Sequence, residues 1–274
     1  MIPEHLIDVD FSNQSDRLLG CARRSDRCGD AAPVFEDRIT PIDRSQWATL
    51  IAENRSLETQ VAKIKDQGQE GTCASNATCQ TLEIALNLEL GRDCWLEFSP
   101  ISIYRWIAPG PGSGSTIGDN LKQLRDSGAL PVNSTENRNK MQLAGLDPAH
   151  VLRATGYSQS FPSGWQSTAA HFRGVEFFDL SSFEGFVTAL LLGFAICYGR
   201  QGHAICAVAP VIQNGGIYIK YANSWGDWGE NGFGYDSESK IAGSIRSYGA
   251  WALRAANVSD KMIELKTKLR EQNG

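Results

Sequence analysis

A cysteine stands where a polar loop gives way to a helical pattern. The loop runs from Lys65 to Thr72, and after Cys73 the apolar residues recur at helical spacing as far as Leu90. Cys73 is therefore expected on the first helical turn, where free backbone N–H groups and the helix dipole favour a thiolate. The thiolate is the nucleophilic form of cysteine. The alternative for this stretch taken alone is a buried structural cysteine.

Two further candidate residues lie far downstream. His203 opens an apolar run 130 positions after Cys73, and Asn223 follows 150 positions after Cys73. Peptide hydrolysis needs a nucleophile, a proton carrier and groups that orient and stabilise, and these residue types can supply them. For His203 taken alone, the alternative is a core histidine in an apolar strand.

These separations and the flanking motifs resemble those of the papain-like cysteine peptidases (peptidase family C1). The resemblance covers roughly residues 60–256. The motifs that carry it are Gln67-Gly68 six residues before Cys73, Gly202-His203-Ala204, Asn223-Ser224-Trp225-Gly226 and Trp228-Gly229-Glu230-Asn231-Gly232. Each motif is weak alone, and their order and spacing together make the resemblance specific.

The resemblance implies a role for each matching residue. Cys73 would attack the peptide carbonyl, and His203 would form an ion pair with it and later protonate the leaving amine, while Asn223 orients the ring. Gln67 would donate its amide to the developing oxyanion. Trp225 would shield the bond between histidine and asparagine from water.

The resemblance also marks a wall of the substrate cleft in the Gly/Ser/Pro loop between Gly110 and Gly118. Gly114 and Ser115 match the positions that hydrogen-bond an extended peptide, although Ser115 replaces a glycine that is usual there. The alternative is a surface loop without a ligand. Glu70 and Ala74 also depart from the family pattern, and a Glu70 carboxylate close to the nucleophile would raise the pKa of Cys73.

The implied fold is α+β, with two lobes: a helical left lobe over about 61–150 and an antiparallel, β-barrel-like right lobe over about 151–257. Local patterns predict helices over 72–91, 99–106, 119–128 and 183–192. Alternation predicts strands over 195–198, 203–211, 217–223, 232–235 and 250–254, with a further strand over 151–157.

Two additional ends flank this catalytic domain of residues 61–257. Residues 1–60 form an arm that carries apolar anchors between charges and a short helix over 45–53, without the long helical pattern of an inhibitory prosegment. The tail, 258–274, places Val258, Met262, Leu265 and Leu269 on one narrow seam. Both ends are expected to pack on the catalytic domain itself or on a partner.

Composition narrows the function classes. The chain has 274 residues, 42% hydrophobic and 21% charged, with a net charge of −5, so it offers no basic surface for nucleic acid or anionic membranes. We find no secretory signal or membrane span, which predicts a cytoplasmic location or one within an assembled particle. No cofactor is expected. Of the seven cysteines, Cys21 and Cys28 lack zinc-site spacing, so no metal is expected either, and reduced thiols are the default.

Three hypotheses follow. The first is a thiol protease acting on a peptide or protein substrate. The second is a structural component of a large assembly, such as a phage virion or tail, with residues 1–60 and 258–274 joining a homo-oligomer or other proteins. The third, another Cys-His-Asn acyl transferase or a cell-wall amidase, is disfavoured by Asn223-Ser224-Trp225-Gly226. Fold alone does not choose among them.

Overall fold

The computed structural model describes residues 1–13, 17–24, 32–53 and 56–273. Its α-helices are α1 (Arg44–Ala52), α2 (Cys73–Leu90), α3 (Ile101–Ile107), α4 (Ile117–Asp126), α5 (Thr135–Leu143), α6 (Trp165–Ala169), α7 (Phe183–Leu191), α8 (Glu238–Ser247) and α9 (Asp260–Asn273). Its strands are β1 (Gly174–Asp179), β2 (Ala195–Arg200), β3 (His203–Gln213), β4 (Gly216–Ala222), β5 (Phe233–Ser237) and β6 (Ala250–Ala256).

The strands form one antiparallel sheet in the order β1-β6-β2-β3-β4-β5. Strands β2 and β3 are joined by a tight turn at Gln201 and Gly202, so that Arg200 pairs directly with His203. Within the described residues the edge strands β1 and β5 do not pair with each other. The predicted α+β class with its antiparallel right lobe is confirmed, and the sheet is open where a barrel would close.

Helix α2 is the central element. Almost all of its side chains are buried, and it packs against the sheet on one side and the left-lobe helices on the other. A buried ion pair fixes the preceding loop to it, since the Lys65 Nζ lies 2.6 Å from the Glu83 Oε1 and also donates to the Phe98 carbonyl. This pairing satisfies two charges that would be costly to bury alone. The loop with Gln67 is thereby held at the start of α2.

Most predicted elements form near their expected positions. The exception is the strand over 151–157, which is wrong: Leu152 makes an isolated bridge to Val132, and the segment after it is irregular. The polar stretch before β2 instead contains α5, α6 and β1, which the sequence patterns did not predict.

The tail helix α9 lies on the chain's own left lobe. Met262 and Leu265 are buried in the same apolar cluster as α2 and α5. Lys266 and Lys268 extend the contact by donating to the carbonyls of Glu89, at 3.0 Å, and Leu143, at 2.7 Å. The apolar seam therefore has a partner surface within the chain.

Candidate active site

Cys73 is the first residue of α2, as predicted, and its side chain is fully buried. Burial raises the pKa of the Cys73 thiol from 9.0 to about 11, against the opposing effect of hydrogen bonds from the backbone N–H groups of Ala204, Gly20 and Ala74. The expected thiolate is therefore not the form of this cysteine in the arrangement described. Gly20 belongs to the N-terminal arm, so the arm reaches the sulfur.

His203 is the first residue of β3 and is also fully buried. Its Nε2 lies 2.7 Å from the Asn223 Oδ1, an oxygen that also accepts from the Ser224 N–H at 2.8 Å. Because that oxygen can only accept, the Nε2 carries the proton, and the buried Nδ1 is left without a partner. Burial lowers the pKa of His203 to about 3, so the imidazole is neutral here.

Aromatic rings enclose the histidine. The Trp225 ring lies at a centroid distance of 4.5 Å from the His203 ring, with an angle of 31° between the planes. From the arm, Phe11 meets the same imidazole edge-on at 4.7 Å and contacts Trp225 at 5.1 Å. Trp225 lies where a shield for the His203–Asn223 hydrogen bond is expected, and Phe11 completes the enclosure.

Gln67 is fully buried, and its amide is oriented at both ends. The Nε2 donates to the backbone carbonyls of Leu18 and Glu70, each at 2.9 Å. The Oε1 accepts from the Ser224 hydroxyl at 2.7 Å. Sequence reasoning missed Ser224 as a positioning residue, although it stands inside the Asn223-Ser224-Trp225-Gly226 run.

The arm crosses the cleft as an extended strand. Ser115 pairs with it on one side, donating to the Gly20 carbonyl at 2.8 Å and accepting from the Ala22 N–H at 3.0 Å. On the other side the Cys21 N–H donates to the Gly202 carbonyl at 2.7 Å. The cleft-wall position Gly114 is in close contact with the same segment, because its Cβ, if present, would lie 2.6 Å from the Gly20 carbonyl oxygen.

The structure thus gives the arm a role that its sequence pattern did not indicate. Residues 17–24 lie across the cleft, between the wall at Ser115 and the turn at Gly202. Besides Ser224, sequence reasoning did not single out Phe11, Leu18 and Gly20 as contacts of the candidate residues, since they carry no periodic or motif signal.

Glu70 does not act on the nucleophile, contrary to the expectation from its position. Its carboxylate accepts hydrogen bonds from the backbone N–H groups of Gly156, at 3.1 Å, and Tyr157, at 2.7 Å. It therefore fastens the 156–157 loop, and burial, not Glu70, is the main cause of the raised pKa of Cys73.

Six cysteines lie within the described residues, and none of them forms a disulfide. Cys28 lies outside the described residues. Across the part of the chain that the structure describes, no cluster of metal-ligating side chains occurs. No helix within it is long and apolar enough to cross a bilayer.

Comparison with known proteins finds likeness at the level of structure. No protein-family model and no curated sequence matches the chain. Xylellain, a cysteine protease from Xylella fastidiosa, superimposes with a TM-score of 0.57 at 17% identity, covering 88% of this chain and 97% of that one. Procathepsin L 3 of the Tenebrio molitor larval midgut superimposes with a TM-score of 0.58 at 17% identity, covering 85% of this chain and 75% of that one. ProCathepsin B S9 from Trypanosoma congolense superimposes with a TM-score of 0.55 at 15% identity, covering 90% of this chain and 89% of that one. The chain therefore has a papain-like fold.

Proposed function

We propose that this protein is a papain-like cysteine peptidase, a hydrolase of the C1 type, held latent by its own N-terminal arm. The observation that carries the proposal is the hydrogen bond from the Gln67 Nε2 to the Leu18 carbonyl, at 2.9 Å. A buried amide that is already bonded to a peptide carbonyl, beside the start of the Cys73 helix, supports a role in polarising the carbonyl of a substrate.

The proposed reaction uses the partnerless nitrogen of the histidine. When the arm leaves, the Cys73 thiol transfers its proton to the His203 Nδ1, and the sulfur attacks the peptide carbonyl carbon. The Gln67 amide and a backbone N–H stabilise the oxyanion. The imidazolium then gives its proton to the leaving amine as the C–N bond breaks, and water hydrolyses the thioester. Asn223 holds the ring through Nε2 throughout.

Latency follows from the contacts of the arm. The backbone of Gly20, which belongs to the arm, hydrogen-bonds the sulfur of Cys73, so the arm occupies the space that a substrate would need at the thiol. The thiol and the imidazole are both neutral, because burial raises the pKa of Cys73 and lowers the pKa of His203. In this state the pair lacks both substrate access and the ion pair.

The backbone of Ser115 supports an extended mode of substrate binding. Its N–H and C=O pair with the arm at 2.8 and 3.0 Å, as an edge strand pairs with an added strand. After release of the arm, the same two groups are free to pair with a peptide. We therefore retain Gly114 and Ser115 as proposed substrate-binding residues.

The virion or tail hypothesis rested on ends that need a partner surface. The arm lies across the cleft and α9 lies on the left lobe, so contacts within the chain account for both apolar surfaces. No observation favours assembly over peptidase function. Self-association through residues 1–60 and 258–274 stays a prediction.

The proposal is tested with the full chain, a thiol-directed peptide epoxide and a pooled set of fluorogenic peptides. Cys73→Ala should abolish both labelling and hydrolysis, whereas Cys79→Ala, a change on the same helix, should retain both. Asn223→Ala should slow turnover by less than the loss of Cys73. Gly20→Ala serves as the variant with a displaced arm, because a Cβ at Gly20 overlaps the Gly71 backbone. If both this variant and the wild-type chain are inert towards probe and peptides, the peptidase proposal is wrong.

A further inference from the structure

A cavity lies between helix α8 and the β2–β3 turn that leads to His203. Its volume is about 210 Å³, and every side chain that lines it is a cation, an amide, a hydroxyl or a glycine. Arg200 and Lys240 are the cations of the lining, of which Arg200 is paired with the buried Asp236, and no carboxylate lines the cavity itself. Such a surface favours an anionic occupant.

Several donors on the residues that line this cavity have no acceptor. The Ser244 hydroxyl and the Nη2 of Arg200 are buried and have no hydrogen-bond partner. Asp236 fixes the same guanidinium through its Nε, at 3.0 Å. The Tyr248 hydroxyl accepts from the Gly202 N–H at 2.9 Å, which leaves its own proton for a ligand. Buried donors without acceptors are unusual in folded proteins, and a ligand would satisfy them.

Lys240 completes the set. Among the described residues, the Asp10 and Asp236 carboxylates feel the charge of Lys240 but neither lies within ion-pair distance of its ammonium group. An ammonium group, a fixed guanidinium and several hydroxyl groups in the lining of one cavity suit a tetrahedral oxyanion. The cavity is larger than a bare oxyanion, so a substituent on it can also be accommodated.

We propose that the cavity between α8 and the β2–β3 turn binds a phosphate group, either inorganic phosphate or a phosphate monoester, and that its occupation loosens the N-terminal arm. The binding site stands independently of the peptidase activity. The effect on the arm rests on the proposed function.

Gln201 connects the cavity to the arm. Its side chain lines the cavity, its Nε2 donates to the Asp10 carboxylate at 3.0 Å, and its Oε1 accepts from the Phe11 N–H at 3.3 Å. Hydrogen bonds from Ser12 chiefly lower the pKa of Asp10, and the charges of Lys240 and Arg200 add to this effect. A bound phosphate would compete with Asp10 for these cations and for the amide of Gln201.

Binding is tested by calorimetric titration of the full chain with inorganic phosphate and with phosphoserine, at constant ionic strength set by chloride. Lys240→Ala should weaken binding about tenfold, because a charge-assisted contact is lost. The matched control is Arg246→Ala, which removes an exposed cation of the same helix outside the cavity and should change binding by less than about twofold. Ser244→Ala should also weaken binding while leaving the charge unchanged. Tighter binding of phosphoserine than of phosphate would identify a monoester as the ligand.

No saturable binding of either ligand, or equal weakening by Lys240→Ala and Arg246→Ala, would overturn the site. The effect on the arm is measured as the rate at which the peptide epoxide labels Cys73, which saturating ligand should raise about fivefold or more. Binding with an unchanged labelling rate would overturn the coupling. Binding without any labelling, even of a variant with a displaced arm, would point to failure of the peptidase proposal and leave the phosphate site intact.

Discussion

Substitution of a single arm glycine, Gly20→Ala, should open the active site. A Cβ built at this position lies 1.9 Å from the Gly71 carbonyl oxygen and 2.3 Å from the Gly71 carbonyl carbon. Both atoms belong to the backbone of the loop before Cys73, so rotation of a side chain cannot relieve the overlap. The arm segment must therefore leave its place in the cleft.

The energy at stake can be counted from the contacts that hold the segment. Displacement breaks the bond from Gln67 to the Leu18 carbonyl, two bonds with Ser115 and one from Cys21 to the Gly202 carbonyl. At about 1 kcal/mol net for each, these four hydrogen bonds stabilise the closed state by about 4 kcal/mol. Their loss would change the ratio of open to closed protein by about a thousandfold.

The assay is the rate at which a thiol-directed peptide epoxide alkylates Cys73 at pH 6, read by mass spectrometry of the intact protein and its fragments. Gly20→Ala should react at least about tenfold faster than wild type, with the ceiling set by the fully open form. Gly112→Ala is the matched control. Its nearest neighbour, the Leu18 Cδ1, lies 3.9 Å from the added Cβ, an ordinary contact.

Equal labelling rates for wild type, Gly20→Ala and Gly112→Ala would show that the arm is no barrier to the thiol. Equal acceleration by both substitutions would attribute the effect to loss of glycine and not to the clash. Thermal unfolding of all three proteins distinguishes local opening from general loss of structure, because local opening leaves the main transition in place.

Three further results are expected. Ser224→Ala removes the hydrogen bond that the Ser224 hydroxyl donates to the Gln67 Oε1. Introduced into the Gly20→Ala variant, it should lower kcat about tenfold, with KM nearly unchanged and the fold intact. Acid should open the arm. In the closed form burial lowers the pKa of His203 to about 3, whereas a solvated histidine has a pKa of about 6.5. Between these values the open form binds a proton and the closed form does not. The closed form then loses about 2 kcal/mol by pH 5, and the labelling rate of wild type relative to the arm-displaced variant should rise between these pH values. In α9, Leu265→Ala should cost about 2–5 kcal/mol in urea unfolding because the side chain is fully buried, whereas Ile263→Ala, 49% exposed, should cost less than about 1 kcal/mol.

The candidate residues could be predicted because each lies next to a local signal. Cys73 follows a glycine-containing loop at the start of a helical pattern, and His203 begins an alternating apolar strand. The structure brings His203 and Asn223 to a 2.7 Å contact across neighbouring strands β3 and β4. Spacing and flanking motifs selected these residues through their resemblance to the papain-like peptidases, and the α+β fold class was expected from the same resemblance.

An arm that packs on the catalytic domain was predicted, but its path beside Cys73 and His203 was not, because an extended segment that pairs through its backbone needs no side-chain pattern. Its bonds to Ser115 and Gly202 use N–H and C=O groups that every residue except proline possesses. Gly20 matters for the side chain that it lacks, and Phe11 is one apolar residue among polar ones. Similarly, β1 was not recognised, since its pairing partner β6 lies more than seventy residues away in the sequence.

The charge state of Cys73 shows how two effects of similar size decide the outcome. A helix N-terminus stabilises an anion by at most about 2 kcal/mol, and this was the basis for expecting a thiolate. Burial outweighs the backbone hydrogen bonds and leaves the pKa of Cys73 raised from 9.0 to about 11, a net effect of about 3 kcal/mol in the opposite direction. Desolvation therefore prevails while the arm is in place, and the helix and the imidazole prevail once water returns. Under the proposed function, the same segment controls both access to the sulfur and its ionisation, and release of the arm would switch on binding and chemistry together.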